Sequence, residues 1–271
     1  MKFSYLNKLF LTRYKTIVAS AQRLTDANIQ AKKGIAMRII GFIYLLFFSN
    51  LALCCQLSVR MANYGPESEL AANDTWKGVD VELIEQLFKQ VNCRYSIVEL
   101  PWARSLQMLA RGDIDIMLNV TKTKEREQYY YFVGPIKEEV TVLAKSVKDN
   151  SILKDVNSLM TLAKPVAVQR GSFYGPEVEQ LMLSQKGKSK FIQVASNETK
   201  IKLMETGRIS GFLAAKRNLT IGPDKTPRYK GVWFHPLVIY KTPVYFALSK
   251  KSISKELLEQ FNRAVPFLIE D

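Results

Sequence analysis

Residues 95–118 read YSIVELPWARSLQMLARGDIDIML and contain three kinds of pattern in succession. Residues 95–100 are rich in apolar and β-branched side chains, as in a strand, and residues 103–110 have leucines three apart, as on one face of a helix. Residues 114–118 form a short apolar run that follows a glycine and is typical of a buried strand. The order strand, helix, strand indicates a parallel βαβ unit.

The same order extends to both sides of this stretch. Upstream, Leu57, Val59 and Met61 alternate as in a strand, and apolar residues over 79–91 recur at helical spacing. Downstream, strands at 166–168, Phe191–Val194 and 209–213 alternate with helices at 177–183 and 198–205. The sequence therefore predicts two α/β lobes. Residues 140–145 and 245–250 are predicted as strands that cross between the lobes and form a hinge.

Composition excludes several classes of site. The 271 residues suffice for one large domain or for two modest ones, each with its own core. The single histidine, His235, excludes a His-rich metal site. Three cysteines, of which Cys54 and Cys55 are adjacent, predict neither a zinc site nor a disulfide framework. We expect no metal and no cofactor.

Half of the net charge of +14 lies in residues 1–38, ahead of the apolar run IIGFIYLLFFSNLALCC at 39–55. The remaining Lys and Arg are scattered, so the charge does not predict a nucleic-acid partner. The apolar run is short for a membrane span, which needs about 20 residues, and fits a secretory signal flanked by Arg38. Small residues at 52 and 54, three positions and one position before Cys55, predict cleavage before Cys55. A lipoprotein site at Cys54 is the rival interpretation, but Leu53 is too large for a good one. The alternative is an uncleaved anchor.

The predicted domain organisation has four parts. Residues 1–36 are interpreted as an over-extended N-terminus, and residues 37–55 as a signal peptide or anchor. Residues 56–144 form lobe 1, to which 247–271 return, and residues 145–246 form lobe 2.

Five segments carry a resemblance to a known family. They are 76–83 (WKGVDVEL), 101–115 (PWARSLQMLARGDID), 123–126 (TKER) with Phe132 and Pro135, 166–172 (VAVQRGS) and 207–210 (GRIS). In this order and spacing, over about residues 57–265, they resemble bacterial extracellular solute-binding proteins of family 3. The resemblance implies a two-lobed, periplasmic-binding-protein-like (type II) α/β fold, with a ligand cleft between the lobes and a two-strand hinge. It also implies a periplasmic, non-enzymatic monomer that delivers an amino-acid-like solute to an ABC permease in the inner membrane.

The resemblance assigns the main ligand contacts. Tyr64 and Trp102 match the two aromatic walls of the ligand site, and aromatic faces suit aliphatic or cationic groups. Arg126 matches the arginine that clamps a carboxylate through its planar fork. The alternatives are core packing for the two rings and a solvated charge for Arg126. Further ligand-binding candidates are Arg104, Asn119, Thr121, Ser172 and Phe173.

Ser172 precedes a predicted helix, so it is either a plain N-cap or part of an anion site at the helix N-terminus. One departure from the family pattern concerns the ligand. Ala215 stands where the family has an Asp for the ligand's ammonium, and Ser210 replaces the Asp of the "GR.D" segment. We therefore expect an anionic ligand without the usual ammonium contact, or else an ammonium met by Glu67 or Glu69.

Two other functions fit the same fold. One is a ligand-sensing receptor for a signalling partner, which would use the same cleft. The other is a dehydratase-like enzyme, although the predicted cleft offers no obvious general acid.

Overall fold

The fold is built on paired strands. A computed structural model describes residues 55–221, 226–227 and 229–265 of the chain. The predicted N-terminal extension and the predicted signal peptide up to Cys54 lie outside these residues. No helix in the described ranges is long and apolar enough to cross a membrane.

The strands and helices are as follows. The strands are β1 (Gln56–Met61), β2 (Glu69–Leu70), β3 (Trp76–Lys77), β4 (Arg94–Glu99), β5 (Ile116–Thr121), β6 (Tyr130–Ser146), β7 (Val166–Gln169), β8 (Phe191–Val194), β9 (Gly211–Ala215), β10 (Thr220–Ile221), β11 (Thr226–Pro227) and β12 (Val232–Ser249). The α-helices are α1 (Val79–Gln90), α2 (Trp102–Arg111), α3 (Pro176–Leu183), α4 (Gly187–Lys190), α5 (Asn197–Glu205) and α6 (Lys255–Ala264). Short 3₁₀ helices cover Arg126–Gln128, Asn157–Thr161 and Lys216–Leu219.

The main sheet has eight strands in the order β4-β1-β5-β12-β6-β9-β7-β8. At one end, β1 pairs in parallel with β4 and β5, and at the other end β7 pairs in parallel with β8 and β9. The long strands β6 and β12 pair antiparallel between these two groups. We call β1–β5 with α1, α2 and α6 lobe 1, and β7–β9 with α3–α5 lobe 2. The strands β6 and β12 run through both.

Each lobe has its own apolar core. In lobe 1, Ile84 and Leu87 of α1 pack with Phe246 of β12 and Phe261 of α6, and all four are fully buried. In lobe 2, Val166 of β7 packs with Val178 of α3. Burying one such side chain contributes about 1.5–3 kcal/mol. The two cores hold the edges of the cleft in fixed positions within each lobe.

The predicted alternation of strands and helices is confirmed, with element ends shifted by a few residues. The two crossing strands are longer than predicted, 17 residues for β6 and 18 for β12. Their outer parts pair with each other and with β5 and β9, so they serve as sheet strands as well as lobe connections.

Two of the three cysteines form a disulfide, which their spacing in the sequence did not predict. Cys55 and Cys93 are bonded, with 4.7 Å between their Cα atoms. Cys55 comes directly before β1 and Cys93 directly before β4, and these parallel neighbours begin side by side, with Gln56 opposite Arg94. The strand register therefore brings together two cysteines that lie 38 residues apart in the sequence.

Candidate ligand-binding cleft

A cavity of about 70 Å³ lies between the lobes, where polar side chains from both meet. It lies beyond the carboxyl ends of β1, β5 and β7, which is the usual position of a ligand site in an open α/β sheet. Lobe 1 contributes Arg60, Trp102 and Asn119 to its lining, and lobe 2 contributes Gln169, Ser172 and Lys200.

One backbone carbonyl joins the two lobes. The oxygen of Gly171, in lobe 2, accepts hydrogen bonds from the Arg126 Nη2 at 2.9 Å and from the Trp102 indole Nε1 at 3.2 Å. The Nη1 of Arg126 donates to the Thr121 carbonyl at 2.7 Å. Arginine has five N–H donors, so three of those of Arg126 remain for other partners.

Arg60 fills the space between the two predicted aromatic walls. Its guanidinium carbon lies 5.3 Å from the ring centre of Tyr64 and 5.4 Å from that of Trp102. Its Nε and Nη2 donate to the Leu100 carbonyl at 3.0 and 2.9 Å, and Nη2 also reaches the Tyr64 hydroxyl at 3.2 Å. Arg60 is 5 % exposed. The rings therefore hold a side chain of the protein itself.

A buried ionic network lies beside the cavity. Lys137 of β6 bridges Asp80 at 2.5 Å and Glu67 at 3.0 Å. Arg217, which follows β9, also pairs with Glu67. Asp80 in turn accepts a 2.6 Å hydrogen bond from the Asn119 amide. Glu67 precedes α1 of lobe 1, and Arg217 follows β9 of lobe 2. Their ion pair is therefore a second connection across the cleft.

Burial shifts the pKa values of several titratable groups that line the cavity, among them Glu139 and Lys200. Glu139 of β6 lines the cavity without a hydrogen bond or ion pair to any part of the chain that the structure describes, and burial raises the pKa of its carboxyl to about 7. Burial lowers the pKa of the Lys200 ammonium to about 7. That ammonium donates to the Leu213 carbonyl at 2.8 Å and to Asn197 Oδ1 at 3.1 Å. Glu139 is thus a carboxyl group of the cavity that forms no hydrogen bond or ion pair with the described residues.

The structure brings most of the predicted site residues to this cavity. They are Tyr64, Trp102, Asn119, Thr121, Arg126, Ser172 and Phe173. Arg104 is the exception, because its side chain is exposed and does not line the cavity. It follows Trp102 by two positions on α2, a rotation of about 200° that directs it to the opposite face of the helix.

The expected capping role of Ser172 is not seen. The helix α3 begins at Pro176 with Gly175 as its N-cap, and the Ser172 amide instead donates to the Gln169 carbonyl at 3.1 Å in a turn. Ser172 still lines the cavity, but not from a helix N-terminus.

The two acids expected to replace the missing Asp are both paired. Glu67 is bound by Lys137 and Arg217, and Glu69 forms an exposed ion pair with Lys77 at 3.7 Å. Ala215 does line the cavity. Among the described residues, Glu139 is an acid at the cavity that forms no ion pair.

Sequence reasoning missed Arg60, Asp80, Glu139 and Lys200 as cavity residues. Two of them had a signal in the sequence. Asp80 lies inside the segment 76–83 that carried the family resemblance, and Arg60 interrupts an otherwise apolar strand end. Glu139 and Lys200 had none, because each lies among other charged residues in the sequence.

A family model supports the resemblance. The model of bacterial extracellular solute-binding proteins, family 3, matches residues 57–271. The chain belongs to this family. A search among curated proteins finds no significant match. Family 3 proteins are generally binding proteins rather than enzymes, and the name of the family implies a periplasmic or extracellular location.

Solved structures show the same two-lobed fold. Holo ArgBP from T. maritima is 20 % identical with a TM-score of 0.67, over 79 % of this chain and 90 % of that one. The ancestral amino-acid-binding protein AncCDT-1, a precursor of cyclohexadienyl dehydratase, is 22 % identical with a TM-score of 0.65, over 80 % and 90 %. A histidine kinase sensor domain with similarity to periplasmic binding proteins is 16 % identical with a TM-score of 0.65, over 79 % and 90 %. These identities support the fold alone.

Proposed function

We propose that this family 3 protein captures a small, charged, amino-acid-like solute between its lobes and delivers it to an ABC permease in the inner membrane. The observation that carries the proposal is the interlobe cavity, which Arg126 and Trp102 bridge through the Gly171 carbonyl. A cavity between two lobes that close on each other suits capture and release of a solute, and it needs no catalytic group.

The cavity supports a solute that carries a carboxylate. Arg126 has donors to spare after its two backbone contacts, and Lys200 adds a second basic group to the lining of the same cavity. Ala215 cannot pair an ammonium, and Glu67 and Glu69 are engaged with cations. A solute that also carries an ammonium would meet Glu139 instead.

Export to an oxidising compartment is supported by the disulfide. The bond between Cys55 and Cys93 is of a kind that persists in the periplasm and is rare in the cytosol. We propose that residues 37–54 are removed as a signal peptide. The intact mass of the protein from the periplasm should then correspond to a chain that begins near Cys55. Recovery of residues 1–36 on that protein would contradict cleavage.

A thermal-shift screen tests the proposed function. The exported form is screened against amino acids, amines and small carboxylates. A solute at 100 times its Kd stabilises by about 2.7 kcal/mol, which for this size is about 5–10 °C. The shift should be lost in Arg126→Ala and kept in Arg208→Ala, which removes an exposed arginine outside the cavity. A full shift in Arg126→Ala would contradict the proposed site.

A sensing role is the second candidate, and the likeness to a histidine kinase sensor domain favours it. Once a solute is known, uptake of that radiolabelled solute by cells that lack this protein separates the two. Reduced uptake supports transport, and normal uptake with a lost transcriptional response to the solute supports sensing. Recovery of the unchanged solute after incubation with the protein tests the proposal that it is not an enzyme.

A further inference from the structure

Arg60 is a charged residue in a strand whose neighbours are core residues. Val59 and Met61, on either side of it in β1, are buried in the apolar core of lobe 1. Arg60 points to the opposite face of the strand, as alternation requires, yet only 5 % of it is exposed. A charge removed from water at such a position is costly unless it is fully paired.

The partners of Arg60 are neutral. Its guanidinium donates to the Leu100 carbonyl through two nitrogens and to the Tyr64 hydroxyl. No carboxylate of the described residues is among its contacts. The remaining stabilisation comes from the ring faces of Tyr64 and Trp102, each within the range of a cation–π contact. Two aromatic faces, and one carbonyl oxygen that accepts from two guanidinium nitrogens, make a site that suits a guanidinium.

This site is continuous with the ligand cavity. Arg60, Tyr64 and Trp102 all line the cavity, and Trp102 also closes the cleft through the Gly171 carbonyl. Because Arg60 stands between the rings, no group of a solute can enter there while the side chain keeps this position. Asn119, Glu139 and Lys200 also line the same cavity.

We infer that Arg60 determines the specificity of the cleft by occupying, from within the chain, a guanidinium-binding site between Tyr64 and Trp102. It excludes solutes that would place a guanidinium or a long cationic side chain between the rings. The solute is instead a small one that contacts the Glu139 and Lys200 side of the cavity. The part of this inference that concerns the solute rests on the proposed function, whereas the occupied guanidinium site does not.

Rescue of a truncated side chain tests the occupied site directly. Arg60→Ala empties the space between the rings and should lower Tm by about 5–10 °C, because it removes hydrogen bonds and two ring contacts of a buried cation. Methylguanidinium chloride is the probe, and methylammonium chloride at the same ionic strength is its control. At ten times its Kd the probe should restore about 3–5 °C in Arg60→Ala. The wild type and Arg208→Ala should not respond.

The outcomes separate the inference from the proposed function. A response to methylguanidinium in Arg60→Ala alone supports the guanidinium site, whether or not a solute has been found. Equal responses in Arg60→Ala and the wild type, or none in a folded Arg60→Ala, would overturn it. The wild type also provides a test that needs no variant. Calorimetric titration with L-arginine should show no binding at millimolar concentration, and micromolar binding would overturn the exclusion.

Discussion

The Arg126 guanidinium of lobe 1 donates a 2.9 Å hydrogen bond to the Gly171 carbonyl of lobe 2, and the Trp102 indole donates to the same oxygen at 3.2 Å. A carbonyl oxygen has two lone pairs, so these donors together satisfy it. The acceptor is a backbone group that follows β7, and no side chain of lobe 2 is needed for the contact. Closure of the cleft is thus coupled to the same two residues that the family resemblance assigns to the ligand.

Removing the donor of Arg126 should weaken closure. In Arg126→Ala the carbonyls of Thr121 and Gly171 both lose a charged donor, and hydrogen bonds to charged groups contribute about 1.5–3 kcal/mol. We expect the free energy of unfolding in urea to fall by a similar amount, with faster amide exchange in residues after β7. Arg208→Ala is the matched control. An unchanged free energy of unfolding would show that the closed contact contributes nothing to stability.

The ion pair between Glu67 and Arg217 should be energetically coupled. The two side chains are mostly buried, with 9 % and 25 % exposure, and Glu67 keeps Lys137 as a second partner. Each of Glu67→Gln and Arg217→Gln should destabilise the protein by about 1–3 kcal/mol, because each leaves a partly buried charge with fewer partners. In a double-mutant cycle the combined loss should be smaller than the sum by at least about 0.5 kcal/mol. Strict additivity would contradict a direct interaction.

The sequence was sufficient to predict the fold because the spacing of apolar residues within each short segment indicates a strand or a helix. The run at residues 95–118 and its counterpart after residue 166 give the alternation of strands and helices without any knowledge of pairing. Most ligand candidates followed from the ends of predicted strands, where parallel sheets place their binding sites. The N-cap role expected for Ser172 was wrong, since the helix after it begins at Pro176 and has Gly175 as its N-cap.

The chemistry of the cleft could not be predicted in the same way. Which acid is unpaired depends on contacts between distant segments, such as that of Glu67 with Arg217. The position of Arg60 between Tyr64 and Trp102 likewise depends on how β1, the loop after it and α2 pack together within lobe 1. The disulfide was missed because pairing of Cys55 with Cys93 follows from strand register, which the spacing of three cysteines does not reveal.

Loss of the disulfide should destabilise lobe 1. The bond closes a loop of 38 residues, for which the chain-entropy model gives about 4 kcal/mol, or a fall in Tm of about 8–16 °C. Cys93→Ser is preferred to Cys55→Ser, because Cys54 adjoins Cys55 and offers a substitute thiol if the leader remains. Differential scanning calorimetry should give similar Tm values for Cys93→Ser and for the reduced wild type. Dithiothreitol should not lower the Tm of Cys93→Ser further, and a wild type insensitive to reduction would contradict the bond.

Glu139 should make stability depend on pH. Burial raises the pKa of its carboxyl from 4.5 to about 7 in the folded protein, whereas the unfolded chain keeps a value near 4.5. Below pH 4.5 both states are protonated, so the wild type and Glu139→Gln should be equally stable. Between about pH 4.5 and 7 the unfolded state releases a proton that the folded state retains, so the wild type loses stability relative to Glu139→Gln as pH rises.

Above pH 7 the Glu139→Gln variant should be more stable than the wild type by about 1–3 kcal/mol, with little further change. Urea unfolding at a series of pH values from 4 to about 8.5 measures the difference. Glu138→Gln is the matched control, because Glu138 is an exposed neighbour whose ion pair with Lys241 is worth about 0–1 kcal/mol. Parallel curves for the wild type and Glu139→Gln would show that Glu139 is already ionised and solvated in the folded protein. That result would contradict the raised pKa, whereas the expected divergence identifies a buried carboxyl group that forms no ion pair with the described residues.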